Sequence, residues 1–481
     1  MPQLNHISHM IAGEIKPAGS MEVVAPFGQL SIATIDTVDA NGVDQALNIA
    51  RSLFDDRDGW IALSDRIDIL KRTASIMADK AEQLAVEAAR EGGKPLVDSR
   101  IEVSRAIDGI QICIETLRSE AGDEVPMGAN AASQGRLAFT HREPIGVVVA
   151  VSAFNHPLNL IVHQVAPAVA TGCPVIIKPA EDTPLSCMRF IQILIEAGLP
   201  SGWAQALMTD NHEVAGQLVS DPRVDFFSFI GSAKVGWWLR SQLAPGTRCA
   251  LEHGGVAPVI VEADADLSDA LPLLAKGAFY HAGQVCVSVQ RVFADQAIAR
   301  QVADGLAVEG TKMKVGDPTR EETGIGPLIR PREVDRIHEW VTEAVAQGAE
   351  LICGGEPISE TCYPATVLYN PPANARVSTQ EVFGPVVCVY SYDDMDQAID
   401  QANALPFAFQ AAVFTNNLQR TLRGFRRLNA SAVMINDFTA FRVDWMPFAG
   451  LRQSGMGVGG IPHTMRDMQV EKMIVIRSPE L

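Results

Sequence analysis

Four short stretches of the sequence carry side chains that could take part in chemistry. A side-chain amide stands at Asn155, and a carboxylate and a thiol follow at Glu252 and Cys286, 34 residues apart. A thiol can act as a nucleophile, a carboxylate as a general base, and an amide as a hydrogen-bond donor to developing negative charge. The stretches are Phe154-Asn155-His156-Pro157-Leu158-Asn159, Lys178-Pro179-Ala180-Glu181, Phe229-Ile230-Gly231-Ser232-Ala233-Lys234-Val235-Gly236, and the pair Leu251-Glu252-His253-Gly254-Gly255 and Gly283-Gln284-Val285-Cys286.

Each of the first three stretches lies at the end of an apolar run that predicts a buried strand. The runs are 146–151, 174–178 and 225–230, and helical patterns such as 158–171 separate them. Short apolar strands that alternate with helices indicate a parallel sheet covered on both faces. In such a sheet the ligand crevice lies at the carboxyl ends of the strands, where these stretches are predicted to meet.

The rest of the chain is predicted to have a helical start, a second α/β region and a strand at the end. Apolar side chains spaced by three and four residues predict helices, so the first 120 residues are expected to be mainly helical. The predicted segments are helices at 44–54, 64–90 and 98–118, an irregular crossing segment at 121–134, an α/β region at 251–436 with a strand at 285–293, and a strand at 473–476.

Composition and charge exclude several classes of protein. Of 481 residues, 47% are hydrophobic and 20% are charged, which is ordinary for a globular protein and rules out disorder, collagen and coiled coil. The 39 Lys+Arg and 57 Asp+Glu give a net charge of −18, so no nucleic-acid partner is expected. No apolar run reaches the ~20 residues that cross a bilayer, and the N-terminus lacks a signal-peptide pattern, so no membrane partner is expected.

Cysteine spacing and two other patterns narrow the chemistry. The eight cysteines contain no Cys-x-x-Cys pair, so we predict no metal site, no disulfide framework and a reduced, cytoplasmic setting. The glycines of 455–460 match a dinucleotide fingerprint, but they lie close to the C-terminus rather than after an N-terminal strand, so we do not assign them that role. His253 and His281 leave open the Cys–His dyad of a hydrolase, which we do not favour.

The order of these motifs resembles that of the aldehyde dehydrogenase superfamily, from about residue 20 to the end of the chain. Two later motifs extend the resemblance: 379–385 reads Thr-Gln-Glu-Val-Phe-Gly-Pro, and 447–450 reads Pro-Phe-Ala-Gly. It implies an α/β fold, and a strand at 473–476 would be an unpaired edge without a neighbour, so a homodimer or homotetramer is expected. The implied parts are a Rossmann-like cofactor domain (1–122 and 141–251), an α/β catalytic domain (252–436), a small β oligomerisation flap (123–140 and 460–481), and a segment 437–459 that returns to the cofactor domain.

The resemblance also implies a reaction, the NAD(P)-dependent oxidation of an aldehyde to its carboxylate. Cys286 would add to the carbonyl as a thiolate and form a thiohemiacetal. The Asn155 side-chain amide and the Cys286 backbone N–H would hold the oxyanion. Loss of hydride to the cofactor would leave a thioester, and Glu252 would be the general base that activates water to cleave it.

For the cofactor, the resemblance implies NAD, with NADP possible. Lys178 and Glu181 would bind the hydroxyls of the adenine ribose, and a carboxylate at position 181 favours NAD because it repels a 2′-phosphate. Ser232 would contact the pyrophosphate at a helix N-terminus, and Glu381 the nicotinamide ribose. The implied cofactor contacts are Ser152, Phe154, Lys178, Ala180, Glu181, Gly231, Ser232, Glu381 and Phe383.

Within the superfamily, the stretches 155–159, 286–291 and 443–447 look most like the lactaldehyde and phosphonate-aldehyde dehydrogenases, a branch that borders the non-phosphorylating glyceraldehyde-3-phosphate enzymes. This likeness implies a small anionic or hydroxylated aldehyde, because guanidinium groups bind oxyanions bidentately. The predicted substrate-binding residues are Arg105, His156 and Arg442. Val285 cannot add a further cation, which argues against a phosphonate.

Three alternatives stay open at this point. A CoA-acylating member of the superfamily would transfer the acyl group to CoA and would need no base such as Glu252 to activate water. A succinate-semialdehyde-type substrate would react by the same mechanism. A catalytically inactive scaffold would have no chemical reason to keep Asn155, Glu252 and Cys286 together.

Overall fold

The computed structural model describes residues 5–481. Helices and strands alternate through most of this range, and no helix in it is both long and apolar enough to span a bilayer. The helices are α1 (Ala40–Asp55), α2 (Leu63–Asp79), α3 (Ala81–Gly92), α4 (Leu96–Ser119), α5 (Asn159–Thr171), α6 (Leu185–Glu196), α7 (His212–Ser220), α8 (Ala233–Ser241), α9 (Leu267–Phe279), α10 (Ala299–Lys312), α11 (Pro331–Ala346), α12 (Arg376–Thr379), α13 (Met395–Asn403), α14 (Leu418–Arg427) and α15 (Ile461–Asp467).

The strands of the same range form several sheets. They are β1 (Asn5–Ile7), β2 (Gly19–Ala25), β3 (Leu30–Val38), β4 (Glu124–Val125), β5 (Arg136–Pro144), β6 (Val148–Val151), β7 (Val175–Lys178), β8 (Ala204–Ala206), β9 (Met208–Thr209), β10 (Phe226–Ile230), β11 (Arg248–Glu252), β12 (Ala257–Val261), β13 (Val289–Asp295), β14 (Glu350–Cys353), β15 (Thr366–Tyr369), β16 (Val386–Tyr392), β17 (Phe407–Ala408), β18 (Gln410–Phe414), β19 (Ala432–Ile435), β20 (Leu451–Arg452), β21 (Gly455–Met456) and β22 (Gln469–Arg477).

Three of the four motif stretches, 154–159, 178–181 and 229–236, lie at or just after the ends of strands of a six-stranded sheet, and Glu252 ends a fourth strand of it. Its order is β21-β11-β10-β6-β7-β8, and all neighbours are parallel except β21 and β11. From β6 the chain proceeds outward through β7 and β8, and it then crosses back to β10 and β11 on the other side. The strand order therefore reverses between β6 and β10, and a ligand crevice is expected at the carboxyl ends of those two strands.

Branched apolar side chains form this sheet because both of its faces are covered. Residues 148–150 of the central strand β6 and 175–177 of its neighbour β7 are fully buried. Side chains of α4, α5 and α6 share one core cluster with the sheet, and side chains of α1 and α7 share another. Continuous buried runs of this kind are typical of parallel strands packed on both sides. The α/β class expected from the sequence is confirmed.

A seven-stranded sheet forms the second half of the molecule. Its order is β14-β15-β16-β13-β12-β18-β19, with β14 antiparallel and the other neighbours parallel. Its core cluster includes side chains of α9, α10, α11 and α13. The loop that carries Cys286 enters this sheet at the start of β13, so the thiol is attached to a different sheet from the carboxylate of Glu252.

A three-stranded antiparallel sheet of order β22-β5-β4 stands apart from the two large sheets. The pairing of β22 with β5 runs from Gln469 opposite Pro144 to Arg477 opposite Arg136. Residues 473–476, which the sequence predicts as a strand, lie in the middle of β22. Their four apolar side chains are exposed in a single chain.

The N-terminal region departs from the sequence prediction in two ways. Strands β1, β2 and β3 come before α1 and form a sheet that β9 joins later in the chain. The first part of the chain is therefore less helical than expected. The single helix predicted over 64–90 is wrong, because α2 ends and α3 begins at Lys80. No glycine or proline marks that break; the Lys80 N–H still donates to the Ile76 carbonyl, and the chain then turns at φ −103° and ψ 11°.

Candidate active site

A cavity of about 420 Å³ lies at the carboxyl ends of β6 and β10 and extends to the loop before β13. It brings together residues from both large sheets and from the segment before α15. Asn155, Glu252 and Cys286, the three residues predicted to perform the chemistry, all border it. They come from three separate parts of the chain, so the fold, and not local sequence, brings them together.

The thiol of Cys286 lies in a turn and not in a strand. The strand predicted over 285–293 begins only at Val289, and the N–H of Ser288 donates to the carbonyl of Val285. The chain reaches this turn through three residues with positive φ, His281, Ala282 and Gly283, at 50°, 53° and 67°. Two of the three are not glycine, and such strain is often found at functional sites. At Gly283 a Cβ would also meet the carbonyl oxygen of Gly384 at 2.1 Å.

Asn155 is fixed directly to the cysteine loop. Its Nδ2 donates to the backbone carbonyl of Gln284 at 2.9 Å, and the residue is buried. Gln284 is held in turn, because its Oε1 accepts from the N–H of Ile329 at 2.9 Å and its Nε2 donates to the carbonyl of Pro327 at 3.2 Å. A primary amide has two N–H groups, so the second N–H of Asn155 is available to a substrate oxygen.

A buried carboxylate fixes the helix that follows Asn155. Glu102 of α4 accepts from the backbone N–H groups of Leu158 and Asn159, both at 2.9 Å, at the start of α5. Its other oxygen is paired with Lys94, and both side chains are 1% exposed. A carboxylate that satisfies free N–H groups at a helix N-terminus is favourably placed with respect to the helix dipole. This arrangement sets the position of α5, which borders the cavity along one side.

Glu252 lies at the carboxyl end of β11, opposite Gly455 in the register with β21. Its one ion pair in the described chain is a long one, 3.6 Å from Oε1 to Nη1 of Arg442. Burial raises the pKa of Glu252 above its ordinary value, and the Arg442 cation opposes that rise. A carboxyl group with a raised pKa is a suitable general base near neutral pH.

The surroundings of Cys286 favour the protonated thiol. Burial raises its pKa, the carboxylates of Glu252 and Glu381 raise it further, and Arg442 lowers it. All eight cysteines are free, and five of them are fully buried. Of the three that are partly accessible, Cys286 is the one that borders the cavity. Its backbone N–H has no hydrogen-bond partner among residues 5–481, which leaves this N–H free for an oxyanion.

One end of the cavity has the features expected for a dinucleotide. Ser152 Oγ and Glu381 Oε1 are buried and have no partner in the described chain, so both are available to polar groups of a ligand. The rings of Phe154 and Phe383 meet edge to face at 5.8 Å beside them. At Gly254 a Cβ would lie 1.7 Å from the Glu381 carboxylate, so this approach requires glycine. The predicted contacts that border the cavity are Ser152, Phe154, Ala180, Gly231, Ser232, Glu381 and Phe383.

Two predicted cofactor residues lie beyond this cavity. Lys178, at the end of β7, and Glu181 are not among the residues that border it. They are close to each other, with Lys178 Nζ 3.8 Å from Glu181 Oε1, and Glu181 is 38% exposed. Together with the two unpartnered oxygens inside, they fit a long ligand that extends from the cavity toward the surface.

The other end of the cavity contains a charged cluster around Asp444. This carboxylate is 1% exposed and receives two hydrogen bonds from Arg105, at 2.6 and 3.0 Å. A third contact comes from Nε2 of His163 at 2.8 Å. These partners hold the pKa of Asp444 below its ordinary value although burial opposes them. The carboxylate is therefore ionised, and its hydrogen-bonding capacity is largely used.

Arg442 belongs to the same region but has much weaker contacts. Its guanidinium lies 3.5 Å from the centroid of the Phe448 ring, and its side chain is 10% exposed. The nearest polar atom is Nδ1 of His163 at 3.4 Å, while Asp444 and Glu252 lie at 3.8 and 3.6 Å. Nε of Arg442 is buried without a partner in the described chain. A buried guanidinium in this state can accept an anionic ligand.

His156 borders the cavity as a neutral imidazole. Burial, together with the nearby cation of Lys94, holds its pKa well below the ordinary value. Its ring meets that of His281 edge to face at 6.1 Å. His156 can therefore serve as a hydrogen-bonding group, but it adds no positive charge for an anion.

Comparison with known proteins identifies the family. The model of the aldehyde dehydrogenase family matches residues 15–474. This chain belongs to the aldehyde dehydrogenase family. It is 37% identical to the 3-sulfolactaldehyde dehydrogenase of Priestia aryabhattai over 459 residues, which cover 95% of each chain. It is 34% identical to the lactaldehyde dehydrogenase of Methanocaldococcus jannaschii over 461 residues, with 95% of this chain and 97% of the relative covered.

A solved structure gives the same answer for the fold. The glyceraldehyde-3-phosphate dehydrogenase of Methanocaldococcus jannaschii, complexed with NADP, superposes with a TM-score of 0.91 at 32% identity, over 97% of this chain and all of that one. The prediction of an NAD(P)-dependent aldehyde dehydrogenase, with the fold of that family, is therefore confirmed. The Cys–His dyad has no support, because no histidine among residues 5–481 hydrogen-bonds to Cys286; His253 Nδ1 contacts the Gly231 carbonyl at 2.9 Å.

Three residues important for this aldehyde dehydrogenase site were not predicted from the sequence. Gln284 stands inside the cysteine motif, but it accepts from the Asn155 amide through its backbone carbonyl, a contact that no side-chain type signals. Asp444 lies in the stretch 443–447, where a single loop carboxylate gives no signal of its own. His163 is separated from Asp444 by 281 positions, and no local pattern links the two.

Proposed function

We propose that this enzyme oxidises a short aldehyde that carries an anionic group, with a sulfonate as the first candidate and a carboxylate or phosphate as the next. The observation that carries the proposal is Arg442, a buried guanidinium that borders the cavity together with Cys286 and has no close partner. The named relatives act on 3-sulfolactaldehyde and lactaldehyde, which differ by one sulfonate, and this makes them a matched pair for a test.

Arg442 is a better anchor for the anion than Arg105. Both border the cavity, but Nε and Nη2 of Arg105 already donate to Asp444. A substrate anion on Arg105 would have to compete with a buried carboxylate, whereas Arg442 gains its first short hydrogen bonds. Charge-assisted pairs of this kind are shorter and about twice as strong as neutral ones. Arg105 and His156 remain predicted substrate contacts, with Arg105 acting mainly by keeping Asp444 away from Arg442.

The reaction begins with removal of the thiol proton. Water takes this proton from Cys286 and passes it to solvent, so Glu252 stays ionised for the later step. The thiolate then adds to the aldehyde carbon, a C–S bond forms, and the carbonyl oxygen becomes an oxyanion. The free N–H of Asn155 and the backbone N–H of Cys286 donate to it, a type of contact worth about 3–4 kcal/mol per donor.

The remaining steps convert the thiohemiacetal into an acid. NAD(P), when bound, supplies the acceptor for the hydride. Loss of the hydride from the thiohemiacetal carbon leaves a thioester on Cys286. Glu252 then takes a proton from water, the oxygen adds to the thioester carbon, and the C–S bond breaks to return the thiolate. Transfer to CoA would not need this base, so the position of Glu252 in the cavity favours hydrolysis over the CoA-acylating alternative.

For the cofactor we propose NAD, because Glu181 carries a negative charge where a 2′-phosphate would lie. Lys178 and Glu181 would hold the adenine ribose, and Gly231 and Ser232 would contact the pyrophosphate at the start of α8. Glu381 would accept from the nicotinamide ribose. Its unpartnered oxygen supports this role. Ser152, Phe154, Ala180 and Phe383 complete the proposed contacts.

We also propose that the chain assembles as a homodimer or homotetramer through β22. The apolar residues 473–476 are exposed, and β22 is an edge strand, two features that other subunits commonly cover. The domain limits proposed above (1–122 with 141–251, 252–436, and 123–140 with 460–481) assign β22 to the oligomerisation flap. We propose the cytoplasm as the compartment, since all eight cysteines are free.

Steady-state kinetics with the matched pair tests the proposal. We expect kcat/KM for 3-sulfolactaldehyde to exceed that for lactaldehyde by at least about tenfold with NAD, which corresponds to one charge-assisted interaction. Succinate semialdehyde against butanal provides a second matched pair with a carboxylate. Equal values for the charged and neutral members of both pairs would contradict the proposal.

A further inference from the structure

We propose that the anionic group of the substrate activates the general base: it replaces Glu252 as the partner of Arg442 and so releases the carboxylate for attack of water on the thioester. The inference rests on the proposed function, because it requires the substrate anion to bind Arg442. It goes further, since it gives the anion a role in the chemical step as well as in affinity.

The first observation is that Glu252 has little to hold it except Arg442. Its side chain is 17% exposed, and it makes no hydrogen bond to any other residue in the described chain. The contact with Arg442 is 3.6 Å, longer than a good charge-assisted hydrogen bond. On the other side of the carboxylate lies Gly459, where a Cβ would come within 3.0 Å of Oε2. The absence of a side chain there leaves Glu252 room to change its rotamer.

The second observation is that Arg442 is fixed while its polar contacts are weak. The Phe448 ring supports the plane of the guanidinium at 3.5 Å, and His163 Nδ1 lies 3.4 Å from Nη2. The Nε2 proton of His163 is engaged by Asp444 at 2.8 Å, so Nδ1 is the acceptor that faces Arg442. Arg442 can therefore exchange one anion for another without moving.

The charges around Glu252 determine what this exchange does. The groups that face it are Arg442 and Asp444 from the segment before α15, and the thiol of Cys286 from the catalytic loop. In the substrate-free site Arg442 counteracts the rise in the pKa of Glu252 that burial causes. An anion bound to Arg442 cancels part of that effect. The pKa of Glu252 then rises, which makes the carboxylate a stronger base.

The sign of the effect on rate follows from this shift. Deacylation needs ionised Glu252, so its rate falls as the pH drops through the pKa of this group. We call this fall in rate the acid limb of the pH–rate profile. With 3-sulfolactaldehyde the sulfonate occupies Arg442, and the acid limb moves to higher pH. With lactaldehyde, which has no anionic group, the Arg442–Glu252 pair persists and the limb stays lower. Above both limbs, deacylation is faster for the sulfonate because its base is free and stronger.

The experiment is rapid mixing of the intact enzyme with NAD and each aldehyde over a range of pH, with NADH formation followed as a burst and a steady phase. A steady phase slower than the burst reports a step after hydride transfer, and a rate that falls as Glu252 is protonated identifies that step as deacylation and not release of NADH. We expect the acid limb for 3-sulfolactaldehyde to lie roughly one pH unit above that for lactaldehyde, as for one opposite charge a few ångströms away. The wild-type comparison needs no variant, so it does not depend on a variant that folds.

Two variants then assign the effect to Arg442. In Arg442→Gln both substrates should give the same limb, at or above the higher wild-type position. Arg442→Lys keeps the charge and should restore the lower limb for lactaldehyde. Coincident limbs in the wild-type enzyme, with a preference for 3-sulfolactaldehyde that is lost in Arg442→Gln, would overturn the inference and leave the proposed function intact. A preference that survives in Arg442→Gln would overturn the proposed function instead.

Discussion

The two ends of the substrate cavity differ in how far their polar groups are satisfied. At the proposed reaction centre, the Cys286 thiol and backbone N–H have no partner in the described chain, and the side chains of Asn155 and Glu252 have one each. In the cluster around Asp444, one carboxylate is shared by two short hydrogen bonds from Arg105 and one from His163. The groups proposed to bind a reacting atom therefore keep free hydrogen-bonding capacity. The groups of the Asp444 cluster, which position the cavity lining, have used theirs.

Arg442 shows the value of this comparison. By position it belongs to the Asp444 cluster, but by its contacts it belongs with the reaction centre, since none of its polar neighbours is closer than 3.4 Å. A buried guanidinium without a close carboxylate costs free energy in the empty site. A ligand anion would recover that cost, which is why we assign Arg442 and not Arg105 as its anchor.

The largest effect expected is that of Cys286→Ser. The hydroxyl is a far weaker nucleophile than the thiolate, so kcat should fall on the order of 10⁴-fold or more. NADH formation with 3-sulfolactaldehyde measures it. Cys249→Ser is the matched control, because Cys249 is also partly accessible but does not border the cavity. Similar activity in the two variants would remove Cys286 from the reaction.

The next largest effect is expected for Glu252→Gln. This variant keeps the size of the side chain but removes the base, so one equivalent of NADH should still form rapidly while steady turnover falls by roughly 10²–10⁴-fold. Because burial raises the pKa of Glu252, wild-type turnover should decline as the pH drops through a value above 4.5. A variant that retains both its steady rate and this acid limb would show that another base serves.

Asp444→Asn and Arg442→Gln should differ in their effect on the free energy of unfolding. Asp444→Asn would leave the Arg105 guanidinium without its buried partner, so the free energy of unfolding should fall by about 3–5 kcal/mol. Arg442→Gln should cost clearly less, because its polar contacts are long. Denaturant unfolding of both variants measures the difference. The comparison of saturated and free groups fails if Arg442→Gln proves the more destabilising.

The smallest effect is expected for Glu181→Gln at the cofactor end. Loss of the carboxylate removes repulsion of a 2′-phosphate, so the ratio of kcat/KM for NAD over NADP should fall by roughly tenfold. Glu213, a nearby exposed carboxylate in the first turn of α7, gives a control as Glu213→Gln. An unchanged ratio in Glu181→Gln would mean that other groups select the cofactor.

The sequence allowed us to predict that Asn155, Glu252 and Cys286 come together, and the structure places all three at one cavity, because each stands in a distinctive local pattern. Cys286, Glu252 and Asn155 each lie beside glycines or directly after a strand, and the order of these motifs is characteristic of the family. The α/β class followed from the alternation of apolar runs. The break at Lys80 could not be predicted, because the helical spacing continues across it and only tertiary packing separates the two helices.

The Asp444 cluster escaped prediction for a different reason. The family likeness and the charge of the side chains predict Arg105 and Arg442 as anion-binding residues. Their different roles depend on which of them pairs with Asp444, and Arg105 is 339 positions away from that residue. The position of the proton on His163 and the contacts of its ring with Asp444 and Arg442 also depend on tertiary structure. Local sequence can identify residues able to bind an anion, but not which of them is left unpaired.

One measurement tests the central claim most directly, that an acyl group is carried on Cys286 until Glu252 activates water. Glu252→Gln is mixed with NAD and 3-sulfolactaldehyde, quenched in acid and analysed by mass spectrometry of the intact chain and its peptides. We predict a mass gain of one sulfolactoyl group, located on the peptide that contains Cys286 and absent when NAD is omitted. A chain that releases NADH but carries no such group on Cys286 would contradict the account.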